Sequence, residues 1–395
     1  MTMVEPISPA HLSDVSSFRN EWHVLLEAAS PWHDPGRLAQ LFGSADAEHL
    51  MVLAEEHGVI GHLAACLRGL EETALDPRAR QLLIDRQRAQ TFSTLRLTAE
   101  LFSLLERFNS LGIAALVVKG PVLAMQAYGD PSRRGYGDLD LLVRQRDIRR
   151  ATEMMIGAGY QAAVPLNAID AGKIPGQYLF SKPDSKLLVE LHNDLTLRYF
   201  PRRLPIEEFF ARQIRVRLDA HDAPALSVED ELVLICIHGA KHFWERLIWI
   251  ADVAALVSRQ SSMDWERAAK SAKAVGAERM LHTGLRLATD LLKTQLPEKV
   301  SAMVRADAAA AKLVERILRW LPAAGYTPPG LFERAVFRLR MRGGVFSAPA
   351  YLLRLSLSPT EEDWQNEGQL SRNRFLDVLR RPFRLARKYK GGRSA

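Results

Sequence analysis

Apolar positions recur at helical spacing through residues 1–108, and the pattern changes abruptly after that. His49 to Leu70 has the spacing of packed helix, with Gly58 and Gly61 as points where it can break. Asp85 to Phe108 reads as one long amphipathic helix. Ile113-Ala114-Ala115-Leu116-Val117-Val118 is instead a short apolar run rich in β-branched residues, the mark of a buried strand. It ends at Lys119-Gly120-Pro121, where glycine permits a tight turn and proline suits the first position of a helix over Val122 to Tyr128. The loop Gly129 to Gly137 follows, then a strand from Asp138 to Val143, then helical spacing from Ile148 to Ala158 that stops at Gly159. Gln177 to Phe180 and Lys186 to Leu191 flank a Lys182-Pro183-Asp184-Ser185 turn and predict a β-hairpin. Tyr199-Phe200-Pro201 breaks the chain, and Pro205 and Pro224 predict further loops. Helical spacing returns from Val228 to about Leu321. Pro322, Pro328, Pro329 and Gly330 read as a linker. A basic, helical last part follows, broken at Ser358-Pro359-Thr360-Glu361-Glu362, where Ser358 or Thr360 suits a helix cap. The pattern predicts four segments: a helical region over 1–108, a mixed core over 109–200, a helical domain over 201–325 and a basic extension over 326–395.

Within the core, strand alternation places Asp138 and Asp140 on one face. Two carboxylates there repel each other and resist burial unless a cation lies between them. Mg²⁺ suits such a pair, since it takes hard oxygen ligands from one or two carboxylates plus substrate phosphates. Solvated aspartates on an exposed edge are the alternative. Arg133 and Arg134 stand five and four residues before Asp138, and guanidinium forks match phosphate oxygens. The amino end of the Val122 helix favours an anion. In the second hairpin arm, Leu188, Glu190 and His192 share a face and Leu187, Val189 and Leu191 the other, so Glu190 can complete a three-carboxylate site.

These motifs together resemble the nucleotidyltransferase superfamily, with its DNA polymerase beta-like fold, and more closely its bacterial uncharacterised nucleotidyltransferase family. The resemblance rests on Leu116-Val117-Val118-Lys119-Gly120, Tyr128-Gly129-Asp130-Pro131, Arg134, Gly137-Asp138-Leu139-Asp140-Leu141-Leu142-Val143, Gly159-Tyr160 and Val189-Glu190-Leu191-His192. A weaker match runs through Leu232 to His242, Arg246 to Val253 and Arg380 to Leu385. It implies an α+β fold: a small mixed sheet with flanking helices, plus helical regions at both ends. It implies transfer of a nucleoside monophosphate from a nucleoside triphosphate such as ATP to an acceptor, with two Mg²⁺ ions or Mn²⁺ in their place. Asp138 and Asp140 would bind both ions and Glu190 one. Gly120 would let the backbone approach the triphosphate, Lys119, Arg133 and Arg134 would neutralise it, and His192 would stand on the acceptor side. Many superfamily members carry a serine or second glycine directly after the first glycine. Here Pro121 and then Val122 stand there, so phosphate binding falls to backbone, Lys119 and the arginines.

The 395 residues carry 47% hydrophobic and 25% charged residues, a globular composition sufficient for two or three domains. The two cysteines, Cys66 and Cys236, suggest no disulfide framework and fit a reducing cytoplasm. No basic segment followed by an apolar one opens the chain, and no apolar run is long enough to span a membrane, so a cytoplasmic protein is expected. Net charge is +7, and nine Arg or Lys against Asp377 from Arg372 to Ala395 account for it. That end suits nucleic acid or a membrane surface, or is a solvated tail. His238 and His242, four apart on a helix, have a spacing that binds zinc or simply packs. Lys241 and Arg246 are candidates to face the nucleotide. The acceptor is expected to be a small molecule or peptide. A toxin-like enzyme acting on tRNA, and a catalytically weak nucleotide-binding scaffold, are the competing readings.

Overall fold

The structure, a computed structural model, describes residues 19–342 apart from 70–75, 165, 167–168, 170–175, 186, 195–203 and 322–329. The expected caps at Ser358 or Thr360 and the basic end from Arg372 lie outside the described residues. The fold is α+β, with one mixed sheet and helices on both faces. Five helices precede the sheet: α1 (Arg19–Ala29), α2 (Pro35–Gly43), α3 (Ala47–Glu56), α4 (Ile60–Leu67) and α5 (Pro77–Ser110). The expected break between 49 and 70 falls at Gly58, which has φ +71° and separates α3 from α4. Asp76 caps α5 through the amides of Arg78 and Ala79, so this helix starts earlier than the apolar spacing indicated.

The core alternates strand and helix: β1 (Ala115–Val118), α6 (Gly120–Tyr128), β2 (Leu139–Val143), α7 (Ile148–Gly157), β3 (Gln161–Ala162), and the hairpin β4 (Gln177–Lys182) with β5 (Leu187–His192). Two further strands, β6 (Ile214–Leu218) and β7 (His221–Ala225), extend the same sheet. Pro224, expected in a loop, lies in β7. Its missing N–H is tolerated in a five-residue strand whose pairing with β1 is confined to Val117 and Ala225. The order across the sheet is β3-β4-β5-β2-β1-β7-β6. β2 runs antiparallel to β1 and parallel to β5, which sets Asp140 opposite Val118 on one side and Glu190 on the other.

Period-two alternation splits the core in two. Ala115, Val117, Leu139, Leu141, Val143, Leu187, Val189 and Leu191 pack on one face against Leu97, Leu101, Leu104 and Phe108 of α5. Leu116, Val118 and Leu142 face the other way, into the large helical cluster. That second face belongs to α6, α8 (Ile206–Ala211), α9 (Val228–Lys241), α10 (Leu247–Arg259), α11 (Trp265–Val275), α12 (Glu278–Leu292), α13 (Glu298–Ala306), α14 (Ala308–Trp320) and α15 (Leu331–Met341), with α1–α4. Residues of even number on β2 and β5, including Asp140, Glu190 and His192, point to this face. Cys66 and Cys236 are buried free thiols. No helix among the described residues is long and apolar enough to cross a membrane.

Gly61 of α4 packs on the backbone of the Ser132–Arg133 turn; a Cβ there would press on both carbonyl oxygens. Gly61→Ala is therefore expected to cost about 1–3 kcal/mol by overpacking. Urea titration checks this, and an unchanged midpoint would show that the turn yields.

Candidate active site

The chain leaves β1 through a strained turn. Lys119 has φ +57° and ψ −138°, a region that non-glycine residues enter only when held there. What holds it is Glu231 of α9, fully buried, whose Oε1 accepts from the Lys119 N–H at 3.1 Å. Gly120 follows with φ +47°. A Cβ there would meet only the Tyr136 ring, at 3.9 Å, so on that side a small group can approach this otherwise buried position. Pro121 has no N–H, so the Gly120 and Val122 amides are the donors offered by this helix end.

The reversed turn aims the Lys119 side chain at β2. Its Nζ lies 2.9 Å from Asp140 Oδ2, and His192 Nε2 lies 2.8 Å from Asp140 Oδ1. Both oxygens of this buried carboxylate are thus held by cationic or N–H groups. Burial alone would favour the neutral acid, but Lys119 and His192 outweigh it and hold Asp140 well below the usual carboxylate range. Burial likewise opposes charge on His192, and its hydrogen bonds to Asp140 and Glu190 prevail and raise it. Glu190 Oε2 stands 3.5 Å from His192 Nε2 and accepts from Gln177 Nε2 on β4. Gln177 Oε1 in turn accepts from Lys241 Nζ at 3.2 Å. Asp138 stands one residue before β2, half-buried, with no ion pair among the described residues; burial, then Asp140, raises its pKa against the pull of Lys119.

Donor atoms of Asp140, Glu190 and His192 all lie within 4.8 Å of one another. This is the one such group among the described residues, and it differs from the expected Asp138–Asp140–Glu190 set. His192 joins Asp140 and Glu190 because it shares a strand face with Glu190; Asp138, the third expected ligand, stands one residue before the strand and outside this group. Two carboxylates and an imidazole are a donor set that fits a divalent ion, and Asp138 is near enough for its field to be felt by Lys119.

The arginines part company. A single 3-10 turn, Pro131–Arg133, capped by Asp130, ends where Arg134 begins extended backbone. Arg134 is buried, and its Nε contacts both oxygens of Asp252 on α10 at 2.9 and 3.0 Å. Tyr128 donates to the same carboxylate at 2.9 Å. Arg133 instead lines a cavity of about 240 Å³ with Ser30, Trp32, His62, Tyr128 and Arg259, none of which belongs to the carboxylate group. His238, His242 and Trp249 cluster with ring centroids 4.7 to 5.3 Å apart, His238 edge-on to Trp249 and the other pairs tilted. His238 Nδ1 lies 3.5 Å from Lys119 Nζ. Burial, then Lys119, pushes His238 well below its usual pKa; the pair forms an aromatic wall beside the lysine, and among the described residues no third ligand joins it to make a zinc site. Sequence reading missed Glu231, Gln177 and Asp252. A lone acid inside an apolar helix, as in Ile250-Ala251-Asp252-Val253, was the available signal.

A family described as uncharacterised nucleotidyltransferase matches residues 43–293. The chain belongs to the uncharacterised nucleotidyltransferase family. No curated protein matches it. The family's matched span begins in α2 and ends just past α12, so it takes in every strand and every residue of the site. Membership makes nucleotidyl transfer the general activity, with a nucleotide as substrate.

Two predictions follow from the electrostatics. Asp140→Asn strands Lys119 and His192 and is expected to cost about 3–5 kcal/mol, whereas Asp138→Asn removes a poorly placed charge and should raise the melting temperature. Scanning calorimetry of both variants checks the contrast, and equal shifts would reject it. Burial raises Glu231 from its usual 4.5 to about 7. The folded state then binds more protons than the unfolded state between those values, so this residue makes stability fall as pH rises through that window. Glu231→Gln should flatten that fall, measured by melting temperature between pH 4.5 and 8.

Proposed function

We propose that this protein transfers a nucleoside monophosphate from a nucleoside triphosphate to an acceptor, with divalent metal held at Asp140 and Glu190 and assisted by Asp138. The observation that carries this reading is the junction of two features. The Asp140–Glu190–His192 group and the open Lys119–Gly120 turn at the amino end of α6 meet at one edge of β2. Metal at such a site, as a pair of ions, supplies charge stabilisation for an in-line displacement at phosphorus. The protein's own residues divide the remaining work. Gly120 leaves room for a phosphate to approach backbone donors. Lys119 reaches the triphosphate by exchanging its contact with Asp140 for phosphate oxygens. Arg134, anchored through Nε by Asp252, lends positive charge from behind. Glu190 faces the acceptor side and Gln177 fixes its orientation.

The acceptor is read as a small molecule or peptide. The tRNA-directed alternative draws on the basic stretch from Arg372, and the scaffold alternative on Pro121 in place of a serine. Incubation with each of four nucleoside triphosphates, Mg²⁺ or Mn²⁺ and a mixed acceptor pool, read by mass spectrometry and pyrophosphate release, separates all three. Absence of pyrophosphate under every condition would leave the scaffold.

Lys119→Ala should weaken triphosphate binding by about 1.5–3 kcal/mol, the loss of a charged hydrogen bond, as read by calorimetry. Glu190→Gln should leave that affinity largely intact and depress the transfer rate strongly. A Glu190→Gln protein with normal turnover would remove the carboxylate from the mechanism.

A further inference from the structure

We propose that His192 Nε2 is a direct metal ligand, and that this nitrogen selects a first-row transition ion, with Mn²⁺ as the probe, over Mg²⁺. The inference rests on the metal-dependent reading above and concerns which atoms and which ion.

Placement is the first support. Parallel register sets Asp140 beside Glu190 and Leu142 beside His192. Glu190 and His192 are two apart on β5 and share a face, so three side chains converge from two adjacent strands. Nε2 lies 2.8 Å from one carboxylate oxygen and 3.5 Å from the other, with all three donors within 4.8 Å. Neighbouring ligands of an octahedral ion at about 2.1 Å stand about 3 Å apart, and opposite ones about 4.2 Å. The two distances from Nε2 are close to the spacing of neighbouring ligands in one coordination shell, the two carboxylates need at most a small rotation to complete it, and Asp138 is outside the group.

Ligand chemistry is the second. Mg²⁺ is a hard ion that takes oxygen and keeps its waters. Among first-row transition ions, imidazole suits Zn²⁺, Cu²⁺, Fe²⁺ and Ni²⁺ best; Mn²⁺, the weakest binder of that row, shares the oxygen preference of Mg²⁺ but takes a nitrogen ligand more readily, and so is a stringent probe. A shell of two carboxylates and one imidazole favours a first-row transition ion while leaving positions for phosphate oxygens. The ring's other nitrogen, Nδ1, is buried and has no hydrogen-bond partner among the described residues. Ligating histidines are usually steadied by an acceptor at that second nitrogen.

The test is pulsed electron paramagnetic resonance of the full chain with Mn²⁺, with and without a non-hydrolysable nucleoside triphosphate. Wild-type protein should show ¹⁴N modulation, and selective ¹⁵N-histidine labelling should change it, which needs no variant. His192→Gln, with its fold checked by circular dichroism, should lose the modulation and bind Mn²⁺ about tenfold or more weaker. The excess of Mg²⁺ needed to displace Mn²⁺ should fall in the same variant. Bound Mn²⁺ that disappears in Glu190→Gln but never shows nitrogen coupling would overturn the histidine ligand and leave the carboxylate metal site standing. No bound Mn²⁺ with or without nucleotide would overturn both. Equal displacement by Mg²⁺ in wild type and His192→Gln would overturn the selectivity.

Discussion

A single buried carboxylate, that of Asp140, organises this molecule. It sits on the sheet face turned toward the helices, where an unpaired charge is costly. Lys119 takes one oxygen and His192 the other. Those two contacts bind the exit of β1 and the end of β5 to β2, and so fix three strands at one point. On the proposed reading, a metal ion at Asp140 would replace part of what Lys119 supplies to this carboxylate. A phosphate that attracts the lysine away would then favour that ion, so that nucleotide and metal would be linked through one ammonium group.

Around this point the helices supply constraint rather than chemistry. Glu231 holds Lys119 in a backbone conformation it would not choose, and does so from the first turn of α9. Asp252, on α10, fixes Arg134 and Tyr128 together. Both acids are buried, and each has a partner from the segment between β1 and β2: the Lys119 amide for Glu231, Tyr128 and Arg134 for Asp252. The clustered rings of His238, His242 and Trp249 stand beside Lys119 as a wall that keeps the lysine's surroundings poorly hydrated. Gly61 ties the amino-terminal helices to the turn that carries Arg133. The helical regions thus act as the clamp around a small sheet.

The sequence by itself determined much of this. Period-two alternation identified β2, the hairpin and the face shared by Glu190 and His192, because side-chain direction in a strand is a local property. The apolar run at Ile113 and the Lys119-Gly120-Pro121 turn identified the strand–helix junction for the same reason, and the motifs there pointed to the family. What only the tertiary structure decided is which polar groups meet. Asp138 and Asp140 look equivalent in the sequence, yet among the described residues one is paired with Lys119 and His192 and the other has no ion pair. Arg133 and Arg134 are adjacent, yet one lines a cavity with His62 and the other is bound to Asp252, 118 residues away. β6 and β7 join the sheet at its β1 edge although their sequence reads as loop. These outcomes depend on partners distant along the chain, and burial makes each such partner count for more than any local preference.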